Sequence, residues 1–141
     1  MGLETRDREI GRYRYFVTQL GAKKGREAFS RLVKVLGPVV AHVVDGATAD
    51  GIRSALVEFA SRMEQRDLDY FCETFGEFST VELEDGKRPK LSLAYQEMHF
   101  AGQFGEMFKW LAFAAEVNFG DFFGALVSGA SADQRMGAAS P

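Results

Sequence analysis

Few residues in this chain have the type and spacing that catalysis needs. The two histidines are His42, in Ala41-His42-Val43, and His99, just ahead of a run of aromatics. A general acid and base pair needs a carboxylate within hydrogen-bond reach of the imidazole. Neither histidine has one at a spacing that would supply it, so both read as exposed or capped side chains. Cys72 sits between Phe71 and Phe75 on a helical pattern, where cysteine behaves as a small hydrophobe. One cysteine cannot form an internal disulfide, and with two histidines it cannot complete a structural zinc site. Gly21-Ala22-Lys23-Lys24-Gly25 lacks the four-residue spacer and the Gly-Lys-Ser/Thr ending of a phosphate loop, so its lysines read as a solvated helix start. Glu82 and Glu84 share one side of a strand, where Lys87, Arg88 or Lys90 would pair with them across a hairpin. The reading is of a chain that is not an enzyme and holds no cofactor and no metal.

What remains is apolar contact chemistry. The 141 residues include 13 Phe against 11 Leu, an inversion of ordinary usage. Six Phe are spread through the first 78 positions, and seven crowd between Phe100 and Phe123. Phe100, Phe104, Phe108, Leu111 and Ala115 form one stripe of a helix expected from about Tyr95 to Asn118. Met107, Trp110, Ala114 and Val117 form the next, and Phe113 widens the apolar arc beyond the roughly 100° of an ordinary surface helix. Such a helix is either central or shared with another chain. Aromatics and Met are enriched at protein interfaces, so Phe100, Phe104, Phe108, Trp110, Phe122 and Phe123 are the candidate partner contacts, with core packing as the competing reading.

The elements that position these residues are mainly helical. Ile10 to Thr18 alternates aromatic and charged residues and predicts a half-buried strand over about 10–18. Phe29, Leu32, Val33, Leu36, Val40 and Val43 recur at three and four, as on one helix face, with a kink or break expected at Gly37-Pro38. A second helix places Ile52, Ala55, Leu56, Phe59, Ala60 and Met63 inward, and a third, opening with Asp67 and Asp69, buries Leu68, Phe71, Cys72 and Phe75. Asp85-Gly86 between alternating runs predicts a hairpin over about 80–93, whose return strand is limited by Pro89. A lone hairpin is marginal in water, so it is expected to join the first strand in a three-stranded sheet. The fold class is α+β, mainly α: four to five helices, an N-terminal strand and a short hairpin. Residues 1–126 form one domain, and the small polar residues of 127–141 read as a flexible tail.

Charge narrows the partners. Residues 1–36 carry nine Lys/Arg against four acids, although the whole chain is at −3. Interspersed acids and an acidic remainder favour self-association or an acidic protein partner over nucleic acid. No run approaches the roughly 18 apolar residues of a membrane helix, and the charged start has no apolar signal region. The chain is therefore expected to be cytosolic.

Taken in order, Ile10-Gly11-x-Tyr13-x-Tyr15, Gln19-Leu20-Gly21-Ala22, the helix from Arg31 to Val40 with its Leu36-Gly37-Pro38, Asp67-Leu68-Asp69-Tyr70-Phe71-Cys72, and Asn118-Phe119-Gly120-Asp121-Phe122-Phe123 resemble tail assembly chaperones of tailed bacteriophages. The resemblance spans roughly residues 9–126 and leaves the Asp85-Gly86 hairpin unmatched. It implies a small helical protein of the host cytoplasm that binds the tape measure protein and keeps it soluble and competent for assembly. It implies release as tail tube protein polymerises around that client, and absence from the finished virion. The competing assignment is a tail adaptor or completion protein that stays in the virion.

Overall fold

The computed structural model describes residues 2–43, 51, 54, 57 and 60–139, with side chains described for 2–35, 51, 54, 57 and 60–122. Two strands open it: β1, Thr5–Ile10, and β2, Tyr13–Thr18, antiparallel in register from Ile10↔Tyr13 to Thr5↔Thr18. Gly11 takes φ +62° at the first position of the two-residue loop that joins them, while Arg12 stays at negative φ. That combination belongs to a type II′ hairpin, whose twist matches the flanking strands. The sequence reading expects one strand over 10–18. The structure corrects this: Ile10 ends one strand and Tyr13 begins the next, because the glycine turns the chain.

Helix α1, Ala22–Val43, follows and is continuous through Gly37-Pro38. Its entry is fixed by Asn118, whose Oδ1 accepts the Leu20 N–H at 2.7 Å. Of the second expected helix, Gly51, Ser54, Val57 and Ala60 are helical and Ala60 is buried; Ile52, Ala55, Leu56 and Phe59 lie outside the described residues. Helix α2, Gln65–Gly76, buries Phe71, Cys72 and Phe75 as their spacing predicts. Strand β3, Ser79–Glu82, then pairs antiparallel with β2 and completes a sheet in the order β1-β2-β3. Gly86 turns at φ +86°, and the return is held by Val81 N–H to Pro89 O and Leu91 N–H to Ser79 O, with one bridge, Thr80↔Lys90. The sheet has the expected three strands; its third member is β1, since Pro89 keeps the return from becoming a full strand.

Helix α3, Leu93–His99, starts at Ser92, whose hydroxyl accepts the Tyr95 N–H. The expected helix over 95–118 is in fact two. It ends at Phe100, turns through Gly102 at φ +72°, and restarts as α4, Phe104–Ala139. Helix α4 runs past the position where the sequence reading begins a tail; side chains from 123 onward lie outside the described residues. The core is built on α4, with Trp110, Leu111, Ala112, Phe113, Ala114 and Ala115 all buried. Burial on every side of the helix is what its wide apolar arc predicts. Tyr15, Val17 and Val81 cover it from the sheet, and Phe71 and Phe75 from α2.

Candidate functional site

The titratable groups in the interior are arranged for packing. His99 Nε2 lies 2.8 Å from the Tyr15 hydroxyl, with Tyr13, Tyr95 and Phe100 around the imidazole. Burial lowers the His99 pKa, opposed by the charge of Glu106, and raises that of the Tyr15 phenol. Burial thus favours the neutral imidazole, and its hydrogen-bond partner is a tyrosine where a general base would need a carboxylate to orient it. The Cys72 thiol is buried and pushed up to about 12, which removes the thiolate a nucleophile needs. Among the described residues no cluster of His, Cys, Asp and Glu could hold a metal ion, and no helix is long and apolar enough to cross a membrane.

The six aromatic candidates divide by position. Phe100 and Trp110 are interior: their rings stack at 5.6 Å, and the Trp110 indole N–H donates to Ser79 Oγ at 3.2 Å. Phe108 is half-buried against the core. Phe104, at the start of α4, is 62% exposed, and Phe122 is 41% exposed. The Phe123 side chain lies outside the described residues. Phe100 and Phe104 therefore do not share a helical stripe, because the turn at Gly102 sends one inward and the other outward.

Exposed apolar side chains lie in two regions. Met98, 76% exposed, and Phe104 flank the α3–α4 turn, and Leu93 is exposed at the start of α3. Between α1 and α4, the Phe122 ring meets Phe29 edge-on at 4.8 Å, and Val33, one helical turn beyond Phe29, is 43% exposed. Sequence reasoning missed Leu93 and Met98, and it set Val33 on the buried face of α1. The signal was present for Val33: at i+1 from Leu32 it lies at the margin of the apolar stripe.

A family model described as phage tail assembly chaperone protein matches residues 11–131. The chain belongs to the phage tail assembly chaperone family. No curated protein and no solved structure matches it. Membership points to a non-enzymatic role in tail assembly, with other tail proteins as partners. In this tail assembly chaperone the half-buried histidine and the buried cysteine support the fold, and the exposed aromatics are the features that packing leaves unexplained.

Proposed function

We propose that this tail assembly chaperone binds the tape measure protein in the host cytoplasm and keeps it soluble and assembly-competent until tail tube protein polymerises around it. The observation that carries the reading is the exposure of Phe104 and Phe122, when every other aromatic among the described side chains is buried or half-buried. Exposed apolar surface marks partner sites, and an amphipathic client helix would dock its apolar stripe there. Binding of this kind holds the unassembled client in solution by mass action.

Co-expression with the tape measure protein tests it: the soluble fraction of the client should rise, and no rise would remove the reading. Mass spectrometry of purified virions tests release, with the chain expected to be absent or far below stoichiometry. Stoichiometric presence would instead make it a retained adaptor or completion protein.

A further inference from the structure

Beside the apolar surface on α1 runs a basic one. A cleft of about 940 Å³ lies between α1 and the start of α2, lined by five Lys/Arg and three acids over a floor that includes Val35, Met63 and Tyr70. Two of those acids are already engaged, Asp67 by Arg31 at 2.9 Å and Glu64 by Arg66 at 3.2 Å. Arg26 and Lys34, both exposed, have no ion-pair partner among the described residues. The first turn of α1 contains no acid and carries Lys23 and Lys24, the wrong sign for the positive end of a helix dipole. Glu77 already answers part of that charge by pairing with Lys24 at 3.1 Å. On the helix surface Arg26, Ser30 and Lys34 form a row at spacings of four, and Phe29 and Val33 form the adjoining row. Phe122 extends the apolar row from α4.

We infer that this face of α1 receives an amphipathic helix whose apolar stripe lies on Phe29, Val33 and Phe122 and whose acidic flank enters the cleft to pair with Arg26 and Lys34. The inference deepens the function proposed above and rests on it, since it specifies the charge of the client segment. Charge complementarity selects the occupant. A nucleic acid strand fits less well: its continuous row of phosphates would have to pass Glu27 in the lining, which is unpaired among the described residues. A helix flank can instead place single acids at Arg26 and Lys34 and set its apolar stripe on Phe29, Val33 and Phe122. The Tyr70 ring, which could otherwise stack on a base, is covered by the Arg31 guanidinium at 4.3 Å.

Fluorescence anisotropy on the full chain tests this with three labelled probes. Two are designed helical peptides of about 18 residues, five turns, with the same apolar stripe and flanks of Glu in one and Lys in the other. The third is a single-stranded oligothymidine. The Glu-flanked peptide should bind, more weakly as salt is raised, and the Lys-flanked one should bind about tenfold more weakly, the scale of two exposed ion pairs turned into repulsions. Arg26→Glu with Lys34→Glu should abolish or invert that preference, and Arg26→Gln with Lys34→Gln should reduce it, with Trp110 emission unchanged as the check on folding. Equal binding of both peptides, still sensitive to Phe122→Ser, would overturn the acidic flank and leave apolar docking standing. Binding of neither peptide would overturn both. Oligothymidine binding that depends on Arg26 and Lys34, without a peptide preference, would assign the cleft to nucleic acid.

Discussion

Among the described residues every buried side-chain nitrogen and oxygen has a hydrogen-bond partner, and the pairing of Tyr15 with His99 has a consequence in pH. Burial lowers the folded-state pKa of His99. As pH falls from about 6.5, the usual value for an unfolded-chain histidine, the unfolded chain takes up its proton first. Stability should therefore rise with pH across this window and be lost below it. Urea midpoints at about pH 7.5 and about pH 5.5 should differ more in the wild type than in His99→Gln, where a neutral amide replaces the imidazole. Equal differences would mean that His99 does not carry the effect. His42 is present in both proteins, so the comparison isolates one residue. Carboxylates such as Glu77, which Lys24 holds below its ordinary value, act at lower pH. Cys72 gives a second test at this scale. With a thiol pKa of about 12, only about one molecule in ten thousand is ionised at pH 8, so a thiol-specific disulfide reagent should label it slowly in the native state and fast in urea. The spacing around Cys72 made its burial legible from sequence. The tyrosine on His99 was not, since Tyr15 and His99 lie on elements brought together only by the tertiary fold.

Element boundaries were legible where a local rule sets them and obscure where two segments share one periodicity. Asp85-Gly86 announced its own turn. The break between α3 and α4 stayed hidden because Phe100 and Phe104 are four apart whether or not the backbone between them is helical, and Gly102 alone marks the interruption. Strand β1 stayed hidden because Arg6, Asp7, Arg8 and Glu9 offer no apolar face. Arg8 instead reaches α4, with paired contacts to Glu116 at 3.0 and 3.2 Å and its guanidinium 4.4 Å from the Phe113 ring centre. The same charges guard the edge. A second copy adding antiparallel to β1 about a two-fold axis would set residues of one face opposite each other, Arg against Arg or acid against acid, which is repulsive. The β1–β2 turn makes the sharpest prediction at this scale. A Cβ on Gly11 would run into the Glu106 carboxylate, and the left-handed backbone itself costs a non-glycine residue about 1–2 kcal/mol. Gly11→Ala should thus destabilise by at least that backbone cost, the Glu106 carboxylate adding whatever its displacement requires. In a Glu106→Ala background the cost should shrink towards the backbone contribution alone. An undiminished cost in the double variant would show that Glu106 yields freely and that φ is the whole effect. A second knot ties α2 to α3: Gln96 Nε2 donates to Cys72 O at 2.9 Å and to Leu91 O at 2.7 Å. Gln96→Leu leaves both buried carbonyls without that donor and should cost about 1–3 kcal/mol per group so exposed, read as a lowered urea midpoint.

For the whole molecule, the aromatic surplus resolves into two populations with opposite expected phenotypes. Phe113 and Trp110 are buried in the first third of α4, and replacing either by a small polar residue removes a large core side chain, at about 3–5 kcal/mol or more. Such variants should lose solubility themselves and say nothing specific about a client. Phe104 is largely exposed and Phe122 is part-exposed with its ring edge-on to Phe29, so replacing either should cost about 1 kcal/mol or less, well below a core aromatic. Composition alone could not separate the two groups, because the same side chain serves the core and the interface and only the turn at Gly102 and the position of α1 decide which. The paired variant Phe104→Ser with Phe122→Ser should therefore keep the wild-type melting temperature to within a few degrees. Co-expressed with the tape measure protein, it should leave a markedly smaller fraction of that client in the soluble extract. Intact folding with client solubility at the wild-type level would show that docking uses another surface. A melting temperature reduced as far as that of Phe113→Ser would show that these rings belong to the core after all. Only retained folding with reduced client solubility fits an exposed aromatic surface that serves a second chain.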